Sequence, residues 1–170
     1  MTLLDLKSKE EWGEIVARFA QEAKMTACLT DDTGGKPQCY FDRYPLCGAI
    51  RDDQESTTFI CSQTNTVMLA MVKKTMEPEI DICEAGLVRL VVPILRNGRL
   101  IGQVFACGLA SEQEDLNSFL IAKQLNVPEE KVLELAKSTP FGSEEKLKQL
   151  ADRLFSELNP QETADGRLEK

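Results

Sequence analysis

Residues Cys83–Leu109 read C-E-A-G-L-V-R-L-V-V-P-I-L-R-N-G-R-L-I-G-Q-V-F-A-C-G-L, and this stretch decides the fold. Two runs rich in β-branched residues flank Asn97-Gly98, the dipeptide best suited to a tight hairpin turn. A hairpin that is apolar on both faces must be covered on both, or must line a pocket with one of them. A two-residue turn pairs Ile94 with Ile101, Val92 with Gln103, Leu90 with Phe105 and Val88 with Cys107. One face then carries Val88, Leu90, Val92, Ile94 and Cys107, with Gln103 as its lone polar group. Such a wall suits a small ligand. It equally suits an ordinary core in which Gln103 reaches solvent at an edge.

Outward from the hairpin, helical signals frame it. Ser8-x-x-Glu11 is a capping box. Trp12, Ile15, Val16, Phe19, Ala20 and Ala23 then follow the spacing of one helical stripe. Thr26–Thr30 and Gln38–Phe41 read as short strands around an Asp-, Gly- and Pro-bearing turn, with Cys28 and Cys39 roughly opposite. The segment from Asp42 to Phe59 reads as a loop with at most one helical turn. A helix runs from Ser62 to about Met76, where Pro78 prevents continuation. Three helices close the chain, announced by Ser111-x-x-Glu114, by Val127-Pro128 and by Gly142-Ser143. The order of elements predicts an α+β domain over residues 1–158, an antiparallel sheet with flanking helices. Residues 159–170 read as a polar, disordered tail. The last helix is either a packed part of the domain or a connector that dimerises or leads to an output domain.

Composition removes several functions. The chain of 170 residues has no histidine, which excludes Ser-His-Asp and Cys-His catalysis and every His-containing zinc site. A net charge of -8 without a dense basic run argues against direct nucleic-acid contact. No apolar run reaches the length of a membrane span, and the N-terminus lacks a signal-peptide pattern, so a cytoplasmic setting is expected. Six cysteines stand at 28, 39, 47, 61, 83 and 107 without any C-x-x-C. Buried free cysteines often act as small hydrophobes. Met68, Met71 and Met76 could face a ligand, though core packing explains them as well.

A set of motifs carries a family resemblance. Leu4-x-x-Lys7-x-x-x-Glu11-Trp12, Leu46-Cys47, Cys61, Cys83-x-Ala85-Gly86-Leu87, Val92-Pro93-Ile94 and Leu100-Ile101-Gly102 together resemble the PocR-type sensory domain over about residues 3–158. The C-x-A-G-L block with its following strands is the most specific part. The resemblance implies a PAS-like fold and a cytoplasmic input module of bacterial transcription regulators or histidine kinases. It implies a small organic ligand, such as a diol. It places functional interest on Cys47, Cys61 and Cys83, with Cys107 near the return-strand pocket position. Glu84 and Arg89 depart from the residues expected of that pattern.

Three function classes follow. The first is a sensor whose ligand site includes Cys47, Cys61, Cys83, Leu90, Val92, Gln103, Phe105 and Cys107. The second is a metal or redox sensor in which Cys47, Cys61 and Cys83 hold zinc or an iron–sulfur cluster, with Cys39 or Cys107 as a fourth ligand. The third is an enzyme using the acidic cluster Glu77, Glu79, Asp81 and Glu84, which a solvated loop ahead of the strand explains equally.

Overall fold

The computed structural model describes residues 1–35, 37, 39–41 (backbone only), 44–112 and 114–160. The chain opens with a short helix α1 (Leu3–Leu6) and helix α2 (Lys9–Ala23). The Ser8 capping box forms as the sequence predicts. The Glu11 backbone N–H donates to Ser8 Oγ at 3.2 Å, and the Ser8 N–H donates to Glu11 Oε2 at 2.7 Å. Trp12, Val16, Phe19, Ala20 and Ala23 are the buried stripe of α2.

Strands β1 (Thr26–Asp31) and β2 (Cys39–Phe41) follow, then helix α3 (Pro45–Asp52). A single turn α4 (Gln54–Ser56) runs into a π-helical stretch (Thr57–Ser62) and on into α5 (Gln63–Thr75). The expected loop over 42–59 is therefore mostly helical from Pro45 onward. Pro45 opens α3 at a position where its missing N–H costs nothing, and the Asp53 side chain caps the next turn. Strand β3 (Glu79–Ile82) pairs with β4 (Leu87–Arg96), which forms the long hairpin with β5 (Arg99–Ala110). The acidic cluster thus falls partly on an edge strand rather than wholly on a loop. Helices α6 (Ser118–Leu125), α7 (Glu129–Ala136) and α8 (Glu144–Leu158) complete the domain. The Ser111 cap forms a bond to the Glu114 N–H, but α6 starts later, capped by Asn117, because the Asn117 N–H is tied to Ala85 O. In α7 the buried apolar residue is Val132, and Leu133 is exposed.

The sheet is antiparallel in the order β2-β1-β5-β4-β3, the PAS-like α+β arrangement. The Asn97-Gly98 turn forms, with both residues at positive φ. Near it the register is Arg96↔Arg99 and Leu95↔Leu100, as the sequence predicts. An irregularity then leaves Ile101 as an extra residue, so Ile94 pairs with Gly102, Val92 with Val104 and Leu90 with Ala106. The four expected pairs do not form. One extra residue on one strand re-aims every side chain beyond it. In the same way Cys28 pairs with Tyr40 while Cys39 stands opposite Leu29, one position out of the expected register.

One face of the sheet carries Ala27, Leu29, Val88, Leu90, Val92, Ile94, Val104 and Ala106, and it packs on α2 and α8. The other face carries Val91 and Phe105 beneath Met68 and Val72 of α5. A satellite cluster joins α3, α6 and α7 to Cys83, Ala85 and Leu87. Asn159, expected in the disordered tail, is instead fixed: its Oδ1 accepts from Leu95 N–H at 2.6 Å, and its Nδ2 donates to Pro93 O at 2.9 Å. The tail from 161 lies outside the described residues. Among the described residues no helix is long and apolar enough to cross a membrane.

Candidate functional site

The second face of the sheet, left uncovered by α5, forms the floor of a cavity of about 310 Å³. Thr26 and Cys28 on β1, Arg89 on β4, and Phe105 and Cys107 on β5 supply that floor. Cys47, Ile50 and Arg51 of α3 form one wall, and Ile60, Cys61, Ser62 and Asn65 form another. Cys83, Ala85 and Leu87 close one end, and Gly34 and Pro37 the other. Five of the six cysteines therefore face one space. The sixth, Cys39, has its side chain outside the described residues.

Of the residues singled out from the sequence, Cys47, Cys61, Cys83, Phe105 and Cys107 line this cavity. Leu90, Val92 and Gln103 do not. The register shift turns Leu90 and Val92 to the opposite face, where they join the core under α8. The acidic residues Glu77, Glu79, Asp81 and Glu84 also lie outside the cavity lining. Met68 is packed in the core, and Met71 is exposed.

The π-helical stretch sets the position of Cys61. Its wider turn is held by Thr57 Oγ1, which donates to Ile50 O at 3.0 Å and to Arg51 O at 3.2 Å. These bonds tie α3 to the following helix and hold Cys47 and Cys61 on facing walls. Gly108, at φ +105°, sits where the β4–β5 register shifts again. A Cβ there would stand 3.2 Å from Cys47 Sγ, so the missing side chain lets α3 approach β5.

Arg89 is the residue that sequence reasoning missed. It is only 4% exposed, in the middle of the sheet. Its Nη1 donates to Cys61 O at 3.3 Å, and its Nη2 donates to Asn65 Oδ1. The guanidinium lies 6.0 Å from the centre of the Phe105 ring. Its Nε has no hydrogen-bond partner among the described residues. No ion pair among the described residues involves it. Burial works against its charge, but the thiols of Cys107, Cys61, Cys83 and Cys28 outweigh that and hold it firmly protonated. The signal in the sequence was a lone arginine inside an otherwise apolar strand.

Cys107 stands directly across the ladder from Arg89. Its thiol is pulled down to about 6, by the hydrogen bond from Cys47 and, against its burial, by the Arg89 and Arg51 guanidinium groups. Cys47 is pushed well up, because its thiol donates to Cys107 and is itself buried. Burial also pushes up Cys61 and Cys83. One thiolate thus sits among protonated thiols. Cys107 lies deep in the fold, yet part of its surface remains accessible, and that surface faces the cavity.

A second polar corner lies toward the Gly34 end. Gln103 is fully buried, and neither its Oε1 nor its Nε2 has a partner among the described residues. Thr30 pairs with Gln103 across the β1–β5 ladder, and its Oγ1 is also unpartnered there. A Cβ on Gly34 would stand 3.2 Å from Gln103 Nε2, which places the amide directly behind the cavity lining. Buried polar groups in folded proteins are almost always satisfied. Arg89 and Thr30 are among the cavity's lining residues, and Gln103 lies behind Gly34 without lining it.

Among the described residues no three Cys, Asp or Glu side chains converge as a ligand set. Two arginines line the same space, and three of the thiols are held protonated.

The fold defines a PAS-like α+β domain with a cavity on one face of its sheet. Comparison with protein-family models matches residues 5–159 to the sensory domain found in PocR, and the chain belongs to that family. No curated protein matches the chain.

Proposed function

We propose that this domain binds a small organic molecule in the cavity and reports its presence to an output module. The cavity is at the low end of the roughly 300–1,000 Å³ range of ligand pockets. At about 30 Å³ per water it holds the equivalent of roughly ten water molecules. The reading rests on a largely apolar cavity whose lining carries the polar side chains of Arg89, Thr30 and Asn65, with the unpartnered amide of Gln103 just behind Gly34. A short carbon chain with oxygen atoms at two positions would satisfy both corners. A diol or a hydroxy acid has that shape, and a diol accords with what membership of the family suggests. The setting proposed is the bacterial cytoplasm, with a histidine kinase or transcription regulator as the output partner, and a homodimer as the signalling unit.

The test is a titration of 1,2-propanediol, lactate and propionate, read by calorimetry and thermal shift. Saturable binding by at least one of them is expected. Gln103→Leu, which removes the unpaired amide without leaving a void, should weaken that binding at least about tenfold, the worth of one hydrogen bond to a buried polar group. If Gln103→Leu and Arg89→Met both bind like the parent protein, the cavity is not the site.

A further inference from the structure

We infer that Cys107 and Cys47 form an oxidation site in which a hydroperoxide converts two neighbouring cavity thiols into a disulfide. This goes beyond ligand sensing and does not depend on it. Three features of the cavity support it. Cys47 of α3 and Cys107 of β5 line the same cavity, and a Cβ on Gly108, the neighbour of Cys107, would stand 3.2 Å from Cys47 Sγ, so the two elements approach closely at these thiols. Cys107 faces Arg89 across the ladder and Arg51 from the wall, so a negative sulfur is stabilised where it stands. The cavity gives a molecule the size of hydrogen peroxide a place to meet that sulfur. A low-pKa, accessible thiol beside a second thiol is the arrangement of redox-responsive cysteines.

The chemistry balances without any further reagent. The Cys107 thiolate attacks one peroxide oxygen, the O–O bond breaks, and the departing hydroxide takes up a proton to become water. Cys107 is then a sulfenic acid, oxidised by two electrons. The Cys47 sulfur, which lines the same cavity, attacks the Cys107 sulfur. The S–O bond breaks, a second water leaves with the Cys47 proton, and the S–S bond forms. The sulfur atoms must close to about 2.05 Å. That closure draws α3 toward β5, over Gly108, which offers no side chain to resist it. It also removes the negative partner of Arg89 and narrows the cavity, so oxidation and cavity occupancy are coupled.

Lowering a thiol from about 9 to about 6 raises its thiolate fraction at pH 7 roughly 100-fold. Its nucleophilicity falls roughly 20-fold, so the net gain is about fivefold. At pH 6 the gain grows to about twentyfold, because an ordinary thiol is then almost wholly protonated.

The experiment treats the reduced protein with equimolar hydrogen peroxide at pH 6 and maps the products by peptide mass spectrometry. The expected first product has lost two hydrogens and yields a Cys47–Cys107 linked peptide. In Cys47→Ser the expected product is a Cys107 sulfenic acid, trapped by dimedone. In Cys107→Ser the linked peptide is absent and total oxidation slows several-fold. A first crosslink between other cysteines, a crosslink between two molecules, or a Cys107 that stays reduced while Cys28 or Cys61 oxidises would each overturn the assignment. The dimedone result on Cys47→Ser keeps the test decisive even where Cys107→Ser folds poorly.

Discussion

Arg89 carries a full charge into the sheet interior with no carboxylate partner among the described residues, and the sulfur of Cys107 takes that place. The consequence appears in stability. Cys107 is held near 6, below its ordinary value of 9.0, so the folded protein binds fewer protons than the unfolded chain between those values. Stability therefore rises with pH across that window, and the contribution is lost as pH falls through 6. Above 9 the opposite holds. Cys47, Cys61 and Cys83 are held protonated in the fold while the unfolded chain releases their protons, so stability falls. Urea titrations from pH 5.5 to 10 should show a maximum near pH 9, and Cys107→Ser should flatten the rising limb. A rising limb that survives Cys107→Ser would place its origin elsewhere. At this scale the sequence was informative about residue types and silent about pairing. Arg89 and Gln103, polar residues inside apolar runs of the hairpin, were visible as oddities. That Arg89 finds Cys61 O and Asn65 while the Gln103 amide finds no partner among the described residues depends on which chain segments cover them, and no local pattern encodes that.

At the scale of elements, the hairpin turn, both long helices and their caps were legible, because each rests on chemistry within a few residues. The register of the hairpin was not. A single extra residue at Ile101 moved Leu90 and Val92 from the cavity to the main core, and nothing in I-G-Q marks where a bulge must fall. The π-helical stretch escaped for a similar reason, since Thr57 is held by carbonyls of α3 rather than by its own helix. The C-x-A-G-L block, by contrast, has a simple physical basis. Gly86 sits at φ +79°, and a Cβ there would lie 2.3 Å from Asp115 O. The turn must accept both a left-handed backbone and the close passage of the 115–117 segment, which is anchored by Asn117 N–H to Ala85 O at 2.9 Å. Gly86→Ala should cost about 3 kcal/mol, combining the left-handed penalty with an overpacking clash. Because Cys83 and Ala85 close one end of the cavity, the same change should loosen the site. Denaturation of Gly86→Ala with a loss under about 1 kcal/mol would show that the segment can step aside.

For the whole molecule, the sheet separates two roles. The cavity lies on one face. On the other, α8 buries Leu147, Ala151, Leu154 and Leu158 against Val88, Leu90, Val92 and Ile94 of β4. The strand that presents Arg89 to the cavity is thus the strand on which α8 rests, and Asn159 clamps the end of α8 to Leu95 and Pro93 of that strand. The sequence left open whether this last helix was a detached connector or part of the domain, because an amphipathic stripe looks alike in both. Its contacts make it part of the core. Each fully buried leucine contributes about 1.5–3 kcal/mol, so three of them approach the whole 5–15 kcal/mol by which a domain is stable. A chain ending at Gly142 should therefore lose cooperative thermal unfolding and the near-ultraviolet signal of Trp12, which is buried in the same core. A shorter lesion separates packing from clamping. Asn159→Ala should keep the fold and lower its stability by about 1–2 kcal/mol through the lost bond to Leu95 N–H. A chain ending at Gly142 that stays folded and monomeric would return α8 to the role of a connector, and would mean that β4 can report the state of the cavity without it.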